Sequence, residues 1–149
     1  MPVVHRQLDI AATPARVWEV ITDFASYPRW VPAFEEAEVL RADAASWEVR
    51  FVFRLVRAFP YTIRAWSPAP GRLEWALVEG AFRANEGAWA LSPLGGGAGC
   101  RADYRLDLQF GMFVPGALQR TLADRLLPNA LDSLKAAAEA APTPAAAPQ

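Results

Sequence analysis

The sequence predicts an α+β fold in which one antiparallel sheet has its helices gathered on one face. Three observations predict it. A strand-like segment opens the chain, two short helical segments divided by prolines follow, and six period-two segments joined by turn signals lead into one leucine-periodic helix. Uninterrupted hairpins pair antiparallel, and helices held outside the strand run cover one face. With 149 residues, 53% of them hydrophobic, the chain is long enough for one domain with a sizeable core, which excludes disorder of its main body.

Residues 3–10 alternate weakly and read as the first strand. Thr13 caps a helix with Pro14 at its first position, and Val17, Trp18, Val20, Ile21 and Phe24 fall at helical spacing. Pro28 and Pro32 break the continuation into a second short helix or turn, with Trp30, Val31 and Phe34 as its apolar groups. Residues 38–41 form a short strand. Trp47, Val49, Phe51, Phe53 and Leu55 then alternate with Glu48, Arg50, Val52 and Arg54. Beyond a turn near Arg57, the apolar face continues through Phe59, Tyr61, Ile63 and Ala65. Pro68, Pro70 and Gly71 mark the next turn, and Leu73, Trp75, Leu77 and Glu79 form a face with a carboxylate in its last slot. Residues 83–91 carry Gly87 in their interior, which predicts a bulge or bend. Gly95, Gly96 and Gly97 lie between strands, so they read as a hairpin connection and not as a phosphate loop. Tyr104, Leu106, Leu108 and Phe110 alternate with Asp103, Arg105, Asp107 and Gln109, the strongest strand signal in the chain.

Pro115 opens a helix of roughly 25 residues marked by Leu118, Leu122, Leu126, Leu127, Leu131 and Leu134. Pro128 lies inside it and predicts a kink. Residues 1–141 read as one domain, and the Ala/Pro/Thr tail at 142–149 reads as disordered.

The charge balance excludes several function classes. A net charge of −1, with fourteen arginines and one lysine spread along the chain, supplies no field for nucleic acid or an anionic membrane. Cys100 is the only cysteine and His5 the only histidine, so no disulfide framework, no cysteine-based zinc site and no multi-histidine metal site is expected. Cys100 reads as a strand residue, His5 as a surface or strand-edge group, and Asp23 as a helix-end residue. Met1 leads straight into a strand-like segment and no apolar run approaches ~18 residues, so the expectation is a cytoplasmic protein without a leader or a membrane helix.

Two segments carry a family resemblance. One runs from Ala12-Thr13-Pro14 through Asp23-Phe24-Ala25-Ser26-Tyr27-Pro28-Arg29-Trp30-Val31-Pro32. The other joins Glu79-Gly80-Ala81-Phe82 to Gly87-Ala88-Trp89 and the strand ending at Phe110. With this element order, the chain resembles the START-like, helix-grip (SRPBCC, Bet v 1-like) superfamily, in its polyketide cyclase/dehydrase and coenzyme Q-binding branch. The resemblance implies a curved seven-stranded antiparallel sheet wrapped around the long C-terminal helix, with a hydrophobic cavity between them. Members of the superfamily bind lipids, isoprenoid quinones, polyketides or hormones, and some are cyclases.

Within that architecture the inward strand faces supply Phe51, Phe53, Tyr61, Ile63, Trp75, Leu77, Trp89, Tyr104, Leu106 and Leu108, and the helix adds Leu118, Leu122 and Leu126. For each residue, core packing is the competing reading. Tyr27, Trp30 and Phe34 are candidates for a lid. Glu79 has two readings: an inward acid with a raised pKa, or a strand-end group in solvent paired with Arg83 or Arg64. Asn85 shares a face with Trp89. The leading expectation is a carrier, without cofactor or metal, for an isoprenoid quinone, lipid or polyketide-like aromatic. Such a protein would make at most transient membrane contact, as a monomer or weak dimer. The rival is an aromatase/cyclase with Glu79, Tyr61 and Tyr104 as its acid/base candidates. A third reading is a protein- or ribosome-interaction module.

Overall fold

The computed structural model describes residues 3–55, 57–111 and 114–140. The expected tail at 142–149 lies outside them. Strand β1 (Val3–Ile10) leads into helix α1 (Pro14–Thr22), a 3-10 turn (Phe24–Ser26) and the short helix α2 (Tyr27–Trp30). Six strands follow: β2 (Phe34–Ala42), β3 (Ser46–Arg54), β4 (Ala58–Trp66), β5 (Arg72–Gly80), β6 (Phe82–Leu94) and β7 (Gly99–Phe110). The C-terminal helix comprises α3 (Gly116–Thr121), a π-helical turn (Leu122–Leu126) and α4 (Leu127–Glu139).

All strands join one antiparallel sheet in the order β1-β7-β6-β5-β4-β3-β2. The meander from β2 to β7 is therefore closed at its far edge by the first strand. This is the expected fold class, a curved seven-stranded sheet gripping a long helix. The sheet curls because bulges interrupt its register in β2, β5 and β6, each adding local twist. The two bulges in β2 also blunt an edge strand that would otherwise present a straight row of unpaired backbone groups.

Thr13 caps α1 as the sequence predicts, its Oγ1 accepting from the Arg16 N–H at 3.1 Å, and Val17, Val20 and Ile21 form the buried face. Two expectations need correction. Phe34 opens β2, opposite Phe53, and does not belong to the second helix, which ends at Trp30. Gly87 keeps regular register in β6, whose bulge falls at Arg83. Glycine is needed at 87 for another reason: a Cβ there would sit 2.4 Å from the Trp75 indole and 2.2 Å from the Arg105 carbonyl. The C-terminal helix is irregular beside Pro128. The proline lies just past the π-helical turn, which rearranges the backbone around the hydrogen bond that proline cannot make.

Candidate ligand-binding cavity

Between the inner face of the sheet and the C-terminal helix lies a cavity of about 130 Å³, bounded at one end by α2. Of its 22 lining residues, eleven are aromatic and none carries a charge. Strands β3, β4 and β7 contribute alternate residues: Phe51 and Phe53, Tyr61 and Ile63, then Tyr104, Leu106 and Leu108. From the helix come Leu122, Leu127, Ala130, Leu131 and Leu134. Trp30, Phe34, Trp75, Asn85 and Trp89 complete the set of sequence candidates that the fold brings together here.

Polar atoms are few and concentrated. Asn85 is buried, and its Oδ1 accepts a hydrogen bond from Trp75 Nε1 at 3.1 Å. The indole nitrogen is a donor only, so this bond fixes which end of the amide carries the oxygen. Tyr61 and Tyr104 are also buried, and the Tyr104 ring lies 4.8 Å from Trp89 and 5.8 Å from Trp75. Burial raises both phenol pKa values far above the usual tyrosine range, with Asn85 opposing the shift at Tyr61. Both therefore remain neutral hydroxyls.

The α2 end of the cavity is an aromatic cluster. Tyr27 stacks on Phe51 at 5.7 Å and touches Trp30 and Phe34 at 4.9 and 5.6 Å. Its hydroxyl donates to the Ile21 carbonyl at 2.6 Å, capping the end of α1. Tyr27 is thus anchored, and Trp30 and Phe34 are packed around it.

Four sequence candidates lie elsewhere. Glu79 is exposed on the outer face, because Leu77 pairs with Ile63 and Glu79 with Thr62, leaving Val78 as the extra residue of a bulge. Inward register passes to Gly80, opposite Tyr61, where a Cβ would lie 2.4 Å from the tyrosine Cα. Leu77 precedes this slip and packs against the core outside the cavity. Leu118 and Leu126 also pack against the core without lining the cavity. The π-helical turn advances the helix phase by one residue, so Leu127 takes the place expected for Leu126. The sequence reading also missed Phe24, Val31, Leu73, Phe82, Leu131 and Leu134 as lining residues. Phe82 and Asn85 both face inward despite their odd spacing, since the bulge at Arg83 lies between them. The proline at 128 was the available signal for the helix slip.

Outside the cavity, Cys100 is buried and burial raises its thiol pKa, so it is not an activated nucleophile. His5 is exposed, 2.7 Å from Asp103. Asp23 accepts from the Ser26 hydroxyl at 2.7 Å at the end of α1. No cluster suited to a metal ion is found among the described residues.

Residues 10–135 match the family described as polyketide cyclase / dehydrase and lipid transport. The chain belongs to that family. Solved structures share its fold over nearly the whole chain. TTHA0849 from Thermus thermophilus is 24% identical, with a TM-score of 0.80, and the alignment covers 95% of this chain and 100% of that one. The Zhui aromatase/cyclase from Streptomyces sp. R1128 is 18% identical, with a TM-score of 0.76 and 93% of each chain covered. In sequence, the chain is 23% identical over 111 residues to the ribosome association toxin RatA from Escherichia coli K12, covering 74% of this chain and 70% of RatA. The family and these neighbours place the chain among START-like helix-grip proteins with a ligand-binding fold.

Proposed function

We propose that the protein binds a small aromatic molecule inside the cavity and carries it without transforming it. The observation that carries this reading is the lining itself, eleven aromatic side chains and no charge around a hollow of about 130 Å³. That volume is close to the ~150 Å³ apolar cavity that accommodates a benzene ring, and well below the ~300–1,000 Å³ typical of drug-sized ligands. A long isoprenoid or acyl chain exceeds that volume, so one- or two-ring aromatics fit the cavity better than lipids. Affinity would come from apolar burial at about 25 cal/mol per Å², less the cost of ordering the ligand.

The cyclase alternative needs a group that exchanges protons near neutral pH. Glu79 is on the outer face, and the tyrosines facing the cavity hold their protons. The ribosome association in RatA's description has little support from charge here. Arg50, Arg54, Arg72 and Arg101 on the strands pair with Glu36, Glu35, Glu74 and Asp9, which neutralises the charge at those positions. No helix among the described residues is long and apolar enough to cross a membrane.

Native mass spectrometry and solvent extraction of the purified protein test the carrier reading, together with thermal shifts from aromatic ketones of one, two and three fused rings. The expected result is a co-purifying aromatic compound and a shift that falls off with ring number. Ligand-free protein with no shift from any ring size would overturn it.

A further inference from the structure

Resting on the reading of the cavity as a small-molecule site, we infer that its ligand carries a neutral carbonyl oxygen, which Asn85 and the hydroxyls of Tyr61 and Tyr104 receive. A carboxylate is excluded.

The argument begins with the Asn85 amide. Its oxygen accepts from the Trp75 N–H at 3.1 Å, which orients the amide so that its NH₂ donor points away from the indole. Trp75 is itself fixed, since its indole lies over Gly87, the one residue type that leaves room for it there. Asn85, Tyr61 and Tyr104 are 6%, 8% and 8% exposed. The Asn85 amide also lies beside the Tyr61 hydroxyl and works against the rise that burial causes in its pKa, whereas the Tyr104 hydroxyl has no protein hydrogen bond among the described residues. Yet among those residues the only fully enclosed polar side-chain atom without a partner is Arg16 Nε. The Tyr104 hydroxyl therefore opens onto the cavity, which Tyr61 and Asn85 also line. Buried polar groups left unmatched are costly, and hydroxyl and amide donors on the wall of an apolar space suit an acceptor oxygen of the ligand.

Charge decides which oxygen. No arginine, lysine or histidine lines the cavity. An ionised carboxylate would lose its hydration with no cation to compensate, a penalty that neutral donors offset only in part. A ketone, quinone, ester or aldehyde carbonyl keeps the acceptor and avoids that penalty. The site thus distinguishes neutral aromatic carbonyl compounds from fatty acids and aromatic acids of the same shape.

Isothermal titration at pH 7 with three isosteric probes separates the possibilities: acetophenone, α-methylstyrene, which replaces the carbonyl by a methylene, and benzoate. Acetophenone should bind about tenfold more tightly than α-methylstyrene, the effect of one to two net hydrogen bonds, and benzoate should not bind detectably. Tyr104→Phe, which removes a single oxygen atom, and Asn85→Leu should each erase most of the acetophenone preference, read as the ratio of the two affinities on the same variant. Thermal unfolding of each variant checks that it is folded, and Tyr104→Phe carries the test alone if Asn85→Leu is not. Equal binding of acetophenone and α-methylstyrene would overturn the carbonyl inference and leave the carrier reading intact. Benzoate binding as tightly as acetophenone would overturn the exclusion of charge. If none of the three binds, both the inference and the carrier reading fail.

Discussion

The two ends of the sheet's inner face differ in what they hold. Along β7 one alternating row runs through both. Cys100 and Ala102 are fully buried at the end where β1 gives way to α1, whereas Tyr104, Leu106 and Leu108 line the cavity. At the first end, small strand residues meet the apolar face of α1, Val17 and Ile21, and both of those are also fully buried. At the second, large rings from β3, β4, β5, β6 and β7 stand up from the strands and face the C-terminal helix across a hollow. The same period-two pattern thus gives a solid core where the inward residues are small and a cavity where they are large and rigid. Side-chain volume, more than hydrophobicity, separates the part of this fold that holds it together from the part that can accept a guest.

The sharpest way to test that division is at the solid end. Ile21→Ala leaves a void where the side chain is fully buried. It should lower unfolding free energy by ~2–5 kcal/mol, measured by denaturant titration, with acetophenone affinity unchanged. A matching loss of ligand affinity would mean that the two ends are one mechanical unit.

Filling the hollow should act in the opposite direction. Ala130→Leu projects an isobutyl group from α4 toward a space of about 130 Å³. The expected gain is ~0.5–2 kcal/mol of stability, with aromatic probes no longer bound. Destabilisation of this variant would show that the lining is already closely packed and that the comparison between solid and hollow ends fails.

How much of this was legible in the sequence follows from where the periods run without interruption. Phe51, Phe53, Tyr61, Ile63, Tyr104, Leu106 and Leu108 keep strict alternation in β3, β4 and β7, and all face the cavity. Glu79 and Leu126 were assigned by extending a period through a one-residue insertion, a bulge at Val78 in the first case and a π-helical turn in the second. Either insertion changes the phase of everything after it, and neither is encoded by hydrophobicity. Gly80 and Pro128 were the local marks. Gly80 has φ +130 and admits the Tyr61 backbone, while Pro128 removes a helix hydrogen bond. The mutual placement of Trp75, Gly87 and Asn85 was beyond reach of periodicity, because it depends on β5 and β6 ceasing to pair beyond Trp75 and Gly87.

The smallest expected effect concerns protons, and it too divides the ends. Glu139 accepts from the Ala11 N–H at 2.8 Å and lies 3.4 Å from Lys135 Nζ, tying the end of α4 to the turn between β1 and α1. The Ala11 hydrogen bond is the main reason its pKa lies below the ordinary 4.5, with Lys135 adding to it and burial opposing. Asp9, paired with Arg101 one step along from Ile10 and Cys100, is lowered in the same direction by its hydrogen bond to that arginine. A carboxylate whose folded pKa is depressed contributes its stabilisation fully above its unfolded pKa and loses it as pH falls through the folded value. Glu139→Gln cannot titrate. The stability difference between wild type and this variant should therefore be constant above about pH 5 and shrink below it. Acetophenone binding, by contrast, should stay flat from about pH 5 to 9, because the lining residues carry no charge and the tyrosine hydroxyls facing the cavity hold their protons throughout that range. Calorimetric titration across that range reads the second half. A binding curve with a midpoint inside it would place an ionising group in the cavity and erase the distinction between an acid-sensitive solid end and a proton-indifferent hollow one.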